Sequence, residues 1–153
     1  MPQKLIDLAE SEGIIIRHCI LPGDILGVYY SVCGRDPVIL LHEDITNCNK
    51  LYRSILAEEI GHHFTCGLNL IAFARHKQTY ITERYEREAL WWATKELVPY
   101  PELLEAITDE RLFSLHELSE FFQVTERFLG TSLKLYDEKI PRKMGMINKR
   151  LME

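Results

Sequence analysis

The sequence predicts an α+β fold in which a small antiparallel sheet packs on a long helix and a helical C-terminal part follows. Short β-branched runs separated by Gly, Pro and Asp fill residues 14–41, which is typical of strands. A helix-like run covers about 49–64, and the segments after it keep helical spacing. With 153 residues, 46% of them hydrophobic, the chain is long enough for one compact core with a small helical appendage.

The N-terminal part begins with a short amphipathic helix, for which Pro2 marks the start and Gly13 the end. Strands are expected over residues 14–16, 27–32 and 38–41. A turn at 34–37, rich in Gly, Asp and Pro, predicts that the last two strands form a hairpin. The last strand could run along a cleft and pair with an extended peptide.

The helix over residues 53–64 sets two carboxylates and two imidazoles within six consecutive positions. Positions four apart share a helix face, so Glu58 lies over His62 and Glu59 over His63. In the zinc-peptidase signature HExxH, both histidines bind zinc and the glutamate is the general base. Laid on this helix, the signature keeps the base Glu59 and the ligand His62, and Glu58 replaces the first histidine.

Two other interpretations of this helix stay open. The pair Glu59 and His63 also spans four positions and could bind a metal in place of Glu58 and His62. Alternatively, the helix holds no metal, and its Glu and His side chains form ion pairs worth about 0.3 kcal/mol each.

A second helix, expected over residues 80–98, offers a third ligand. Its apolar stripe consists of Ala89, Trp92, Ala93 and Leu97. Glu86 lies on the N-terminal extension of this stripe, where a carboxylate is costly unless a positive group meets it. A metal ion would be such a group. The alternative is that Glu86 is solvated at the helix start or paired with Arg53 or Arg84.

Both helices resemble motifs of the ImmA/IrrE family of metallopeptidases. Residues 53–63 are similar to the family's RxxLAHELGHH helix, and residues 86–99 to its ExxAxxFAxxLLxP helix. The resemblance covers about residues 14–136. It leads us to expect a zincin-like metallopeptidase core over 1–99 and a helical subdomain over 100–136. A mobile tail is expected over 137–153, because the apolar residues there show no sustained period.

The resemblance also implies a metal site. The implied ligands are Glu58, His62 and Glu86, and the implied general base is Glu59. The side chains expected around them are His63, Arg53 and Tyr85. Zn²⁺ is the expected metal, with Mn²⁺ or another divalent ion as the alternative. Because two ligand carboxylates cancel the charge of the ion, they favour a slower enzyme or a harder metal such as Mn²⁺.

The substrate implied by the resemblance is a regulatory protein, commonly a helix-turn-helix repressor of a prophage or mobile element. The loss of the first histidine favours a second possibility, a pseudopeptidase that binds the repressor without cutting it. A third is a DNA-binding regulator, because residues 114–136 have helix-turn-helix features. These are a capping box at Ser114 and Glu117 and a second N-cap at Thr125.

Charge argues against nucleic acid as the main partner. The net charge is −5, and the helix after Thr125 offers few basic residues beyond Arg127 and Lys134. The four cysteines form no CxxC pair, so we expect reduced thiols. The chain shows no signal peptide and no apolar run of membrane-spanning length, which predicts a cytoplasmic protein without a membrane partner.

Overall fold

A computed structural model of the chain describes residues 2–65, 79–108 and 114–140. Over these residues it contains a three-stranded sheet and six α-helices, which confirms the predicted α+β class. The chain divides into two compact units, Met1–Ala93 and Thr94–Glu153, and each is described by itself.

The sheet of the first unit consists of β1 (Ile15–Cys19), β2 (Gly27–Tyr30) and β3 (Val38–His42), in the order β1-β3-β2. β2 and β3 form the predicted antiparallel hairpin, and Gly34 in its turn has a φ of 80°, which favours glycine. β1 runs parallel to β3, so the sheet is mixed and the prediction of an entirely antiparallel sheet is wrong. β3 takes the centre because Ile39 and Leu41 are fully buried there.

The central position of β3 also overturns the prediction that the last strand pairs with a peptide, because both of its edges are already paired. The edge strand of the hairpin is β2. The N–H of His42 donates to the carbonyl of Leu26 at 2.9 Å, and bonded pairs alternate along an antiparallel ladder. The backbone groups of Gly27 and Tyr29 therefore face the outer edge of the sheet.

The helices of the first unit are α1 (Gln3–Ser11), α2 (Asn49–Thr65) and most of α3 (Thr79–Leu97), with a 3-10 turn at Glu43–Asn47. α2 packs on β2, β3 and α1. Its buried residues Tyr52, Leu56 and Ile60 recur every four positions and form the face towards the core. Each fully buried Leu or Ile stabilises the fold by about 1.5–3 kcal/mol.

The second unit contains the end of α3, then α4 (Tyr100–Thr108), α5 (Leu115–Phe122) and α6 (Glu126–Lys139). The predicted capping box of Ser114 and Glu117 is present at the start of α5, and Thr125 caps α6. α5 and α6 pack together, as the helix-turn-helix pattern predicts. α6 includes the first residues of the expected tail, and residues 141–153 lie outside the described part.

Two smaller predictions concern cysteines and membranes. Cys19, Cys33 and Cys48 are free thiols, and Cys66 lies outside the described residues. No helix within 2–65, 79–108 and 114–140 is long and apolar enough to cross a bilayer.

Tyr136 holds the end of α6 in the second unit. Its side chain is 2% exposed, its hydroxyl donates to the carbonyl oxygen of Val98 at 2.7 Å, and its ring lies 5.3 Å from that of Tyr100. Burial, and then the neighbouring Tyr100, raise the pKa of Tyr136 to about 12. The protonated phenol is thus the form that the fold stabilises.

We predict that Tyr136→Phe changes stability in a pH-dependent way. Below pH 10 the variant should be less stable by about 1 kcal/mol, because it lacks the hydrogen bond to Val98. In the parent, the raised pKa of Tyr136 contributes fully to the free energy of unfolding below pH 10, and this contribution falls as pH rises towards 12. The loss is roughly 2–3 kcal/mol. Urea unfolding from pH 8 to 12 should show the difference shrinking and reversing; a constant difference would contradict the assignment.

Candidate metal centre

Gly61 of α2 lies against the backbone of Ala89 in α3. A Cβ at this position would lie 2.9 Å from the carbonyl carbon of Ala89 and nearer still to its oxygen. Backbone atoms cannot move aside as a flexible side chain does, so only glycine permits this approach. Ala89 is itself 1% exposed. The two small residues therefore set the spacing of the two helices.

The approach places His62 of α2 beside Glu86 of α3. Nε2 of His62 lies 3.3 Å from Oε2 of Glu86, and the two side chains are 12% and 62% exposed. Two ligands that bind zinc tetrahedrally at 2.0–2.2 Å lie about 3.3–3.6 Å apart. The pair therefore has the separation of two ligands on one ion.

A pocket of about 120 Å³ lies beside this pair, large enough for an ion and water. It is lined by Glu58, His62, Glu86, Arg87, Ala89 and Leu90. The three predicted ligands thus share one pocket. However, no group of three or more His, Cys, Asp or Glu side chains in the described ranges is arranged to hold a metal as it stands. The assignment of Glu58 as the third ligand therefore stays a prediction.

The donor chemistry of the pocket fits a divalent metal. One imidazole nitrogen and two carboxylates suit Zn²⁺, and the oxygen-rich set also suits Mn²⁺. Arg87 lines the same pocket and adds a positive charge, which the sequence reasoning missed. Arg87 follows Glu86 in the sequence, but this does not indicate that both line one pocket, because adjacent helix residues point about 100° apart.

The carboxylate of Glu59 is held against strand β2. A Cβ on Gly27 would lie 2.7 Å from Oε1 of Glu59 and 2.7 Å from a methyl carbon of Ile55, so a side chain there would displace one or both of them. The backbone N–H of Tyr29 donates a hydrogen bond to the same carboxylate. Sequence reasoning missed both residues, because a strand edge gives no pattern that identifies the side chain it meets.

The residue Glu59 is partly exposed, but its carboxylate lies in a buried environment that raises its pKa to about 7. His62 lowers this pKa, Glu58 and Glu86 raise it, and the N–H of Tyr29 lowers it. The carboxylate is therefore close enough to all three predicted ligands to feel their charges. A carboxyl group of this kind can exchange a proton with water near neutral pH.

Neither Glu59 nor His63 lines the pocket. Nδ1 of His63 lies 2.9 Å from the hydroxyl of Tyr29, and its Nε2 lies 3.6 Å from a carboxylate oxygen of Glu12. His62 therefore faces α3, whereas His63 faces β2 and the end of α1. Arg53 and Tyr85 are partly exposed and are also absent from the lining of the pocket.

Comparison with known proteins gives one family match. The model of the peptidase M78 family, described as the IrrE N-terminal-like domain, matches residues 9–134, which is most of the chain and includes both helices of the site. No curated protein matches significantly, and neither does any solved structure.

We predict that Gly61→Ala destabilises the protein by about 1–3 kcal/mol, because its methyl group would overlap the backbone of Ala89. Thermal unfolding should show a fall in Tm of roughly 5–10 °C. Gly130→Ala in α6 is the matched control, since a Cβ there meets nothing within 4 Å. That variant should gain about 0.5–1 kcal/mol from helix propensity. An equal gain in Gly61→Ala would show that the two helices do not approach as described.

Proposed function

The chain belongs to the IrrE N-terminal-like peptidase family, and from this we propose that it is a metal-dependent endopeptidase whose ion is held by Glu58, His62 and Glu86. The observation that carries the proposal is the 3.3 Å contact between His62 and Glu86. These residues come from different helices and line one pocket together with Glu58. The family supports a metallopeptidase-type role, and the pocket supports these particular residues.

Zn²⁺ is the proposed metal, with Mn²⁺ as the alternative that the two carboxylates would favour. A bound ion would polarise the peptide carbonyl and acidify a water molecule. The carboxylates of Glu58 and Glu86 would neutralise its charge, and Arg87 at the pocket wall would add a positive charge beside them.

Glu59 is the proposed general base. It would take a proton from the attacking water as the water oxygen bonds to the carbonyl carbon of the peptide. The C–N bond would then break, and the proton would pass from Glu59 to the nitrogen of the leaving amine. The N–H of Tyr29 would hold the carboxylate while the proton moves.

The proposed substrate is a regulatory protein in the cytoplasm, of the helix-turn-helix repressor type that the family resemblance implies. A pseudopeptidase that binds this protein without cutting it is the second candidate. It is favoured by Glu58 in place of histidine and by the lack of a complete ligand trio among the described side chains. The metal content of the parent and its cleavage of the repressor separate the two.

We do not propose DNA binding by α5 and α6. The acidic residues of this helix pair are Glu117, Glu120, Glu126, Asp137 and Glu138, and its basic residues are Arg127, Lys134 and Lys139. Excess negative charge repels phosphate, so the pair fits a packing or protein-docking role better than a duplex reader.

We predict that the purified protein binds one equivalent of Zn²⁺ or Mn²⁺ and that His62→Ala loses it. Glu59→Gln should keep the metal but cut a co-expressed repressor at least about 100-fold more slowly, because the amide cannot accept the proton. Metal analysis and gel-based cleavage measure the two effects. Cleavage by Glu59→Gln at the parent's rate would exclude Glu59 as the base, and absence of metal in the parent would favour the pseudopeptidase.

We also predict that Glu58→His, which restores the family's first histidine, raises the affinity for Zn²⁺ relative to Mn²⁺, because imidazole suits zinc better than a carboxylate does. Competition with a chelator would measure both affinities. Glu102→His on the exposed surface of α4 is the control for a histidine added elsewhere. Equal metal affinities in the parent, Glu58→His and the control would exclude position 58 from the ligands.

A further inference from the structure

Tyr29 contacts two residues of α2, one through its backbone and one through its side chain. Its backbone N–H donates to the carboxylate of Glu59, and its hydroxyl lies 2.9 Å from Nδ1 of His63. Glu59 and His63 are four positions apart and so lie on one face of the helix. We propose that Tyr29 and His63 are positioning residues that hold β2 against α2 and thereby fix Glu59 for proton transfer, an inference that rests on the proposed function.

The position of β2 in the sheet explains why such a contact is needed. One edge of β2 is paired with β3, while Gly27 and Tyr29 present their backbone groups at the other edge. Nothing in the ladder itself fixes the distance from this edge to α2. The absence of a side chain on Gly27 allows the close approach, and the bond between Tyr29 and His63 holds it.

Glu12 at the end of α1 lies beside the imidazole of His63. Its carboxylate lies 3.6 Å from Nε2, which is an ion-pair distance but longer than a hydrogen bond. A nearby carboxylate favours the tautomer with its proton on Nε2. Nδ1 is then an acceptor, and the hydroxyl of Tyr29 donates to it. The ring lies edge-on to Tyr29, with centroids 5.7 Å apart.

Loss of the contact between Tyr29 and His63 should slow proton transfer and leave substrate binding unchanged. A general base must lie within hydrogen-bond reach of the water it deprotonates, and a displacement of about 1 Å can cost about 100-fold in rate. Glu59 does not line the pocket and has a flexible side chain, so the N–H of Tyr29 limits where its carboxylate can lie. The metal ligands are held separately, by the crossing of α2 and α3.

The chain contains a matched control for this pair. Nε2 of His18 on β1 lies 3.1 Å from the hydroxyl of Tyr52 on α2, and the two rings stack with centroids 5.7 Å apart. Both pairs join a tyrosine to a histidine between the sheet and α2. Tyr52 is two helical turns from Glu59, so its pair should contribute to stability without positioning the base.

The test measures cleavage of dye-labelled casein, an unstructured protein, by the full-length metal-loaded chain. Tyr29→Phe and His63→Ala should each lower kcat about tenfold, with KM and metal content unchanged. The double variant should fall no further, because both changes break the same bond. His63→Asn, whose amide can replace Nδ1, should recover part of kcat. Tyr52→Phe should lower Tm about as much as Tyr29→Phe does, and it should leave kcat unchanged.

A second measurement does not depend on activity. In Tyr29→Phe and His63→Ala, NMR should show faster hydrogen exchange at the amide of residue 29, whereas Tyr52→Phe should leave it unchanged. Unchanged kcat in Tyr29→Phe would overturn the proposal, whatever the exchange rate. Unchanged exchange at residue 29, equal losses of kcat in Tyr29→Phe and Tyr52→Phe, or a loss of metal would also overturn it. If the parent binds no metal and cuts nothing, the proposed function fails, and hydrogen exchange alone then decides whether the pair holds β2.

Discussion

The crossing of α2 and α3 at Gly61 is the contact on which the site depends. A side chain at this position would overlap the backbone of Ala89, so the helices can reach this distance only with glycine at 61. The crossing brings a histidine and a glutamate from distant parts of the sequence to 3.3 Å. A looser crossing would leave His62 and Glu86 on the walls of a wide groove, without the separation that one ion requires.

Different faces of α2 pack against different elements of the first unit. Leu56 and Ile60 are fully buried in the core, His62 faces α3, and Glu59 and His63 face strand β2. Helical geometry allows this because adjacent residues point about 100° apart. The consecutive histidines at 62 and 63 consequently have different surroundings and, in our interpretation, different roles.

The electrostatics of the pocket follow from the glutamate at position 58. With Glu58, Glu59 and Glu86 near one imidazole, the site has more negative charge than the HExxH pattern provides, and their repulsion adds to burial in raising the pKa of Glu59. Arg87 at the pocket wall and a divalent cation are the two sources of positive charge that fit this arrangement. The departure from the family motif thus adds a negative charge next to the proposed base, and such a charge favours a cation in the pocket.

The sequence by itself determined the features that depend on local periodicity. The spacing of residues 58–62, the apolar stripe that leads to Glu86, the capping box at Ser114 and the β-rich runs before α2 were sufficient to predict the class and the main helices. Only the tertiary structure decided the order of the strands, the roles of Gly27 and Tyr29 against Glu59, the place of Arg87 and the contact between His63 and Glu12. The physical reason is that helix faces and caps arise from residues close in sequence, whereas strand pairing and contacts at a strand edge depend on which distant segments meet, and periodicity does not encode those distances.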